Sequence, residues 1–495
     1  MTVSTAQHHR YVQEGTGMAN GMHIGLDVGS TQTKAVAYDD RGTALGRYSA
    51  DTPWRVSRTG ESETTGAALV DRVLAVLHGL LAGLPPERGP VLSLGVTGMA
   101  ESGVLLDGTG AEAAPVVAWY DPRGGAQMAA LPAPVREAFT AATGLRADAQ
   151  PSAASLAWGL GHGWRVTPSS TWLSVPEHVV AALGGERVAE PSLASRTGLL
   201  DTARLAPADH VADALGLPPT LLPPLRPAGT GAGRITRTDV DARLRGAVLT
   251  VAGHDHPVAA LGAGATDPEH LFNGAGTADV LLRSAATPVS PADRARLADA
   301  GVSVGAHVVD GLSAVLCGVS AGVILRRILS LAGATEGDRR DAVDAAAARV
   351  PRPVPGVTVR AGGRGSDDVQ IVLTREADPA ELLAAALHHV GERTSALLDL
   401  VTSAVGPHVS ALCVGGWTRM ASVRALKHDV LPRLEFSSVA LPGCRGAAAL
   451  GALAATGATD QTGLAAVLAD WGPPRAVGVG ATPSHEPAHP GEGSP

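Results

Sequence analysis

One pattern constrains the fold of this chain more than any other, and it occurs twice. The apolar run Ile24-Gly25-Leu26-Asp27-Val28-Gly29 enters a turn of Gly, Ser and Thr, and residues 34–39 leave it as a second strand. Near residue 275 the pattern returns, with 271–276 entering a Gly/Thr turn and 278–282 leaving it. A buried strand, a hydroxyl-rich turn and a return strand make a hairpin, because Gly and the short hydroxyl residues suit the turn and the apolar runs do not. Two copies in 495 residues predict two similar halves of roughly 240 and 200 residues rather than three unrelated domains.

The remaining periodicity alternates strands and helices. A third strand is predicted over 43–48. A helix is predicted over 64–81, with Leu69, Val73, Val76, Leu77 and Leu80 on one face and Thr64-Thr65 as its cap. Residues 91–96 and 247–252 read as further buried strands, the second running into Gly253-His254-Asp255-His256 ahead of a short helix. Residues 1–21 are polar and patternless, and the Pro/Gly/Ser/His-rich stretch 473–495 has nothing to bury, so both are expected to be disordered.

Composition narrows the function. A net charge of −8 without a basic block argues against attraction to a nucleic-acid backbone, and 3% aromatics leave little for base stacking. Cys317, Cys413 and Cys444 stand singly in apolar stretches without a CxxC, as buried reduced thiols do. There is no run of eighteen uncharged apolar residues, and the first 20 lack an apolar signal core. The expectation is a cytoplasmic protein with no nucleic-acid or membrane partner.

Several motifs could carry chemistry. Asp27-Val28-Gly29-Ser30-Thr31-Gln32-Thr33-Lys34 offers a carboxylate, hydroxyls, backbone N–H groups and one cation, the equipment for a phosphate tail and its magnesium; a plain hairpin turn is the equal alternative. Asp255 stands where a strand meets a helix and could accept a proton from a hydroxyl. A helix cap is the other reading there, and a metal site lacks a third ligand locally. Glu101, Asp121 and Arg123 follow buried strands, where they could meet a polar ligand or form surface ion pairs. Gly318-Val319-Ser320-Ala321-Gly322 fits the nucleophile elbow of a serine hydrolase, but Gly301-Val302-Ser303-Val304-Gly305 fits it too, which favours a structural turn. Cys413-Val414-Gly415-Gly416-Trp417 takes a strand into a turn where a ring or phosphate could approach the backbone.

Taken in order, these motifs resemble the FGGY family of carbohydrate kinases, in the sugar kinase/actin/Hsp70 superfamily. Residues 25–34 resemble its first phosphate loop, 96–107 its sugar-contacting strand and hairpin, and Trp119-Tyr120-Asp121-Pro122-Arg123 its W-x-D-x-R segment. Ser195-Arg196-Thr197-Gly198 is similar to its mid-domain turn, 273–278 to its second phosphate loop, 415–419 to its adenosine loop and 447–452 to its closing helix. The resemblance spans about 23–460, with departures at Gly443-Cys444-Arg445-Gly446, where an acidic residue is missing, at Met420, and in the short segment 357–373.

The resemblance implies an α/β fold of two ribonuclease H-like (actin-like ATPase) domains with a cleft between them. They would cover 22–265, holding the sugar and phosphate site, and 266–472, holding the nucleotide site. It implies ATP and Mg²⁺ as cofactors and a small carbohydrate or polyol as partner, with a homodimer as one expected assembly. Asp255 would be catalytic and Asp27 would hold the metal. Glu101, Asp121, Arg123 and His256 would bind substrate, and Ser30, Thr31, Thr33, Lys34, Gly276, Thr277, Gly415 and Gly416 would bind ATP. Glu101 stands where glycerol-type members resemble a Glu and ketose-type members a His, which leans toward a polyol, cyclitol or sugar acid. Ala100 lacks the arginine that accompanies the glycerol-type Glu. A kinase-like sugar sensor and a serine hydrolase using Ser320 are the alternatives.

Overall fold

The computed structural model describes residues 21–276, 278–361 and 368–472. The stretches 1–20 and 473–495, expected to be disordered, lie outside the described residues, as does Thr277.

Each predicted hairpin seeds a sheet. The first sheet holds β1 (Met22–Val28), β2 (Gln32–Tyr38), β3 (Ala44–Asp51), β4 (Val91–Gly98) and β5 (Val248–His254), in the order β5-β4-β1-β2-β3. The β1–β2–β3 meander is antiparallel, while β1, β4 and β5 run parallel. The second sheet holds β6 (His270–Ala275), β7 (Asp279–Ala285), β8 (Ser303–Ala306), β9 (Ser313–Val319), β10 (Ser410–Val414) and β11 (Leu434–Phe436), in the order β8-β9-β7-β6-β10-β11. Apart from the extra edge strand β8, it repeats the first strand for strand: an antiparallel meander β6–β7–β9, with β10 and β11 parallel to β6. These are the two ribonuclease H-like halves expected of the α/β actin-like ATPase fold.

Helices complete both halves. In α1 (Gly66–Ala82) the apolar face at Leu69, Val73, Val76, Leu77 and Leu80 is buried, and the Thr65 side chain accepts the Ala68 N–H at 3.1 Å, capping the first turn as the sequence suggested. Helix α2 (Asp255–Ala263) follows β5. In the second half come α3 (Ala321–Leu331), α4 (Pro379–Val405) and α5 (Ala421–Val430), and α4 covers that sheet through Leu397, Leu398 and Val401.

The last long helix, α6 (Pro442–Ala455), lies on the first sheet although it comes late in the chain. Gly25 and Gly95 are register partners on β1 and β4. A Cβ on Gly25 would overlap the carbonyl of Cys444, and one on Gly95 that of Ala447, so α6 rests on bare sheet backbone. Where α6 crosses α2, Gly262 and Gly446 allow the same close approach, against the carbonyls of Pro442 and Val258. Helix α2 also packs Ala260 and Ala263 against Phe272, Leu282 and Val414 of the second half. The expected division at 265/266 separates the two sheets, whereas α6, expected with the second half, packs on the first.

Candidate active site

Three carboxylates gather at the carboxyl ends of the three parallel strands of the first sheet. Asp27 is the penultimate residue of β1, Glu101 follows β4, and Asp255 follows β5. The strand ends are level: Asp27 and Gly253 both pair with Thr97, and Thr97 Oγ1 donates to the Gly253 carbonyl at 2.7 Å. Open α/β sheets bind ligands at this edge.

Asp27 lies opposite Lys34 in the β1–β2 ladder, with Oδ2 4.0 Å from Lys34 Nζ. Its Oδ1 is buried without a hydrogen-bond partner among the described residues. Burial pushes the carboxyl up to about 6; Lys34 opposes the shift and Asp255 adds to it. Asp255 opens α2, where the helix dipole favours its charge. Its Oδ1, also buried and without a hydrogen bond, is 3.2 Å from Nε2 of His254 and 3.8 Å from Nε2 of His256. Burial raises the Asp255 carboxyl above the usual range, His256 opposes this and Glu101 adds to it. The same burial holds His254 well below its ordinary value, so it is neutral at pH 7.

The turn carrying Asp255 is built around Gly253, whose φ of 110° suits only glycine and where a Cβ would crowd Ser192 and Glu190. Ser192 Oγ accepts the His254 N–H at 2.9 Å and donates to Glu190. Sequence reasoning missed Ser192 and Glu190, which lie some sixty residues upstream and carry no local signal.

The turn expected to be the first phosphate loop is braced from behind. Thr52 Oγ1 donates to the Gly29 carbonyl, Trp54 Nε1 to that of Ser30 and the Thr52 N–H to that of Thr31. With the carbonyls engaged, the Ser30 and Thr31 N–H groups have no acceptor among the described residues. Strand alternation puts Thr33 on the opposite face of β2 from Gln32 and Lys34, and it is fully buried.

At the second sheet, the loop containing Gly276 and the turn at Gly415 and Gly416 lie at the ends of neighbouring parallel strands. Gly415 has a φ of 114° and a Cβ there would overlap the Ala275 carbonyl, whereas Gly416 meets open space. Beneath them is a buried network that sequence reasoning also missed. Lys427 of α5 is ion-paired with Asp279, Asn273 Nδ2 donates to Asp279 Oδ1 at 2.7 Å, and Cys413 Sγ donates to Asn273 Oδ1 at 3.1 Å.

Glu101 has a guanidinium beside it, but from Arg196 rather than from position 100. Arg196 Nε and Nη2 donate to Glu101 Oε1 at 3.0 and 2.6 Å, and Nη1 donates to Ser303 Oγ of β8 at 2.6 Å. Asp121 and Arg123 are turned toward each other. Arg123 Nε and Nη2 each donate to an Asp121 oxygen at 2.8 Å, the Ser62 N–H takes a further bond to Asp121, and Nη1 pairs with Glu63. The guanidinium stacks 4.9 Å over the ring of Trp158. His256 stays about a third exposed. Ser320 begins α3 exposed, with no bond from its side chain to a histidine or carboxylate among the described residues, so the nucleophile-elbow pattern is a strand-to-helix turn here.

Residues 22–262 match the model of the FGGY family of carbohydrate kinases, N-terminal domain. The chain belongs to this family. Among FGGY relatives, a glycerol kinase of Allorhizobium ampelinum is 26% identical over 397 residues, 77% of this chain and 78% of its own. The L-fuculokinase of Escherichia coli is 26% identical over 273 residues, 54% of this chain and 57% of its own. The solved structure of a xylulose kinase from Rhodospirillum rubrum, 26% identical, superposes with a TM-score of 0.76 over 90% of this chain and 92% of its own.

No helix among the described residues is long and apolar enough to cross a membrane.

Proposed function

We propose that this FGGY chain transfers the γ-phosphoryl group of ATP to a hydroxyl of a sugar, polyol, cyclitol or sugar acid, with Asp255 as general base. The observation that carries the reading is Asp255 itself: a half-buried carboxylate at a strand end, with one oxygen buried and without a hydrogen bond, in one electrostatic cluster with Asp27, Lys34, His256 and Glu101. A carboxylate raised by burial yet favoured by a helix N-terminus is suited to receive a hydroxyl proton near neutral pH.

Phosphoryl transfer asks the protein for positioning and charge more than for covalent chemistry. The braced loop at Ser30 and Thr31, with Lys34, offers donors to the phosphates, and Gly276, Thr277, Gly415 and Gly416 receive the nucleotide from the second half. The buried oxygen of Asp27 that makes no hydrogen bond fits a hard cation with oxygen ligands, and Asp27 would hold Mg²⁺. When bound, that ion supplies charge neutralisation to the phosphates. Glu101, with Oε1 held by Arg196, keeps Oε2 for a substrate hydroxyl, and the partly exposed His256 next to Asp255 offers a ring nitrogen. Asp121 acts through Arg123, which it orients against Trp158.

The relatives are named for glycerol, fuculose and xylulose kinases, which supports a class of acceptor rather than one compound. The test is ADP release with Mg-ATP over polyols, cyclitols, ketoses and sugar acids, beside Asp255→Asn. Turnover with one compound, reduced at least a hundredfold in the variant, is expected. Binding by thermal shift without turnover across the panel would replace the kinase with a sugar sensor.

A further inference from the structure

The side chains around Asp255 contain more than phosphoryl transfer requires. Magnesium asks for oxygen ligands, yet the oxygen of Asp255 that makes no hydrogen bond is flanked by two imidazoles. The ligand atoms of His254, Asp255 and His256 all lie within 4.8 Å of one another, the one such set among the described residues. The two rings are inclined at 70° with centroids 5.3 Å apart, so they are not stacked. Bonds of about 2.0–2.2 Å in a tetrahedral shell leave ligand atoms about 3.3–3.5 Å apart. Two separations here, 3.2 and 3.8 Å, already straddle that value. His254 is fixed at the end of β5, while His256 is partly exposed in the first turn of α2 and has room to close the remaining gap. The third ligand is Asp255, which stands between the two histidines in sequence and whose carboxylate the fold turns toward both rings.

We propose that His254, Asp255 and His256 form a site for a borderline divalent cation of the zinc class, and that its occupancy switches the protein off. Two imidazole nitrogens and one carboxylate are the donors such ions select and Mg²⁺ does not, so the site would fill in the presence of a large excess of Mg²⁺. A cation held there occupies the lone pair of Asp255 that would accept the substrate proton. The binding claim stands on geometry alone; the inhibition claim rests on the kinase reading above.

The test uses the full chain, stripped of metal with a chelator. Co²⁺ is added as a spectroscopic probe, and Zn²⁺ affinity is measured by competition with a chromophoric chelator, for wild type, His256→Ala and Asp255→Asn. The expected result is one tight equivalent giving the visible bands of nitrogen- and oxygen-ligated tetrahedral Co²⁺, with affinity at least tenfold weaker in both variants. Equal binding by all three proteins, with the ion held by other histidines of the chain, would overturn the site. In a second arm, Zn²⁺ is titrated into the Mg-ATP assay. Half-inhibition at a concentration that rises at least tenfold in His256→Ala is expected, and unchanged wild-type turnover at saturating Zn²⁺ would overturn the inhibition while leaving the site. Should no acceptor support turnover, the binding arm still decides whether the site exists.

Discussion

Arg196 holds a single oxygen of Glu101 with two of its N–H groups and reaches with a third to Ser303 on the edge strand of the second sheet. All three residues are buried, so the guanidinium joins a candidate substrate contact of one half to the body of the other. Breaking a buried pair from one side typically costs about 3–5 kcal/mol, and Arg196→Ala should lower the melting temperature accordingly. It should also shift the acid limb of the kcat profile to higher pH. The unneutralised Glu101 would raise Asp255 further, against the opposing charges of His256 and Lys34. Ser303→Ala, which leaves the ion pair intact, should cost about 0.5–1.5 kcal/mol and leave that limb in place.

The contact of α6 with the first sheet gives a stability prediction. Gly25→Ala or Gly95→Ala drives a methyl group into a helix carbonyl, and overpacking of this kind costs about 1–3 kcal/mol or more when backbone must move. The double variant should lose less than the sum, because one displacement of α6 relieves both clashes. Gly416→Ala, whose Cβ meets open space, should leave the melting temperature unchanged. Thermal denaturation of the four proteins checks this.

Asp27 gives a pH prediction for activity. With its carboxyl pushed up to about 6 by burial, it is ionised at pH 7.5 and protonated at pH 5. The kcat/KM profile for Mg-ATP reports the free enzyme and should fall below pH about 6. Asp27→Asn should be poorly active throughout and lack that limb.

Glu177 and Glu190 give a pH prediction for stability. Glu177 accepts the N–H groups of Ser174 and Glu190, yet burial pushes it up to about 8, and burial pushes Glu190 up to about 7. Both are raised in the folded state, so between the unfolded value of 4.5 and these values the native protein binds protons that the unfolded chain does not. Their stabilisation is therefore full below pH 4.5 and lost as pH rises through 7 to 8. The melting temperature should decline over that range, and Glu177→Gln should flatten the decline.

Much of this protein was legible in its sequence, because the decisive signals are local. The two hairpins, the α1 face, the strand into Asp255 and the Gly415 turn each follow from apolar period and turn chemistry within about ten residues. Order and spacing of those motifs carried the family, and with it the two-halved fold. The burial of Thr33 was not legible, because a hydroxyl beside a turn looks available until strand pairing decides which face it takes. Other features depend on groups far apart in the chain: α6 on Gly25 and Gly95, Arg196 between Glu101 and Ser303, Ser192 behind the Asp255 turn, and Lys427 against Asp279. No local pattern records such partners, since charge pairing and backbone approach act through space, and only the closed tertiary structure selects which residues meet.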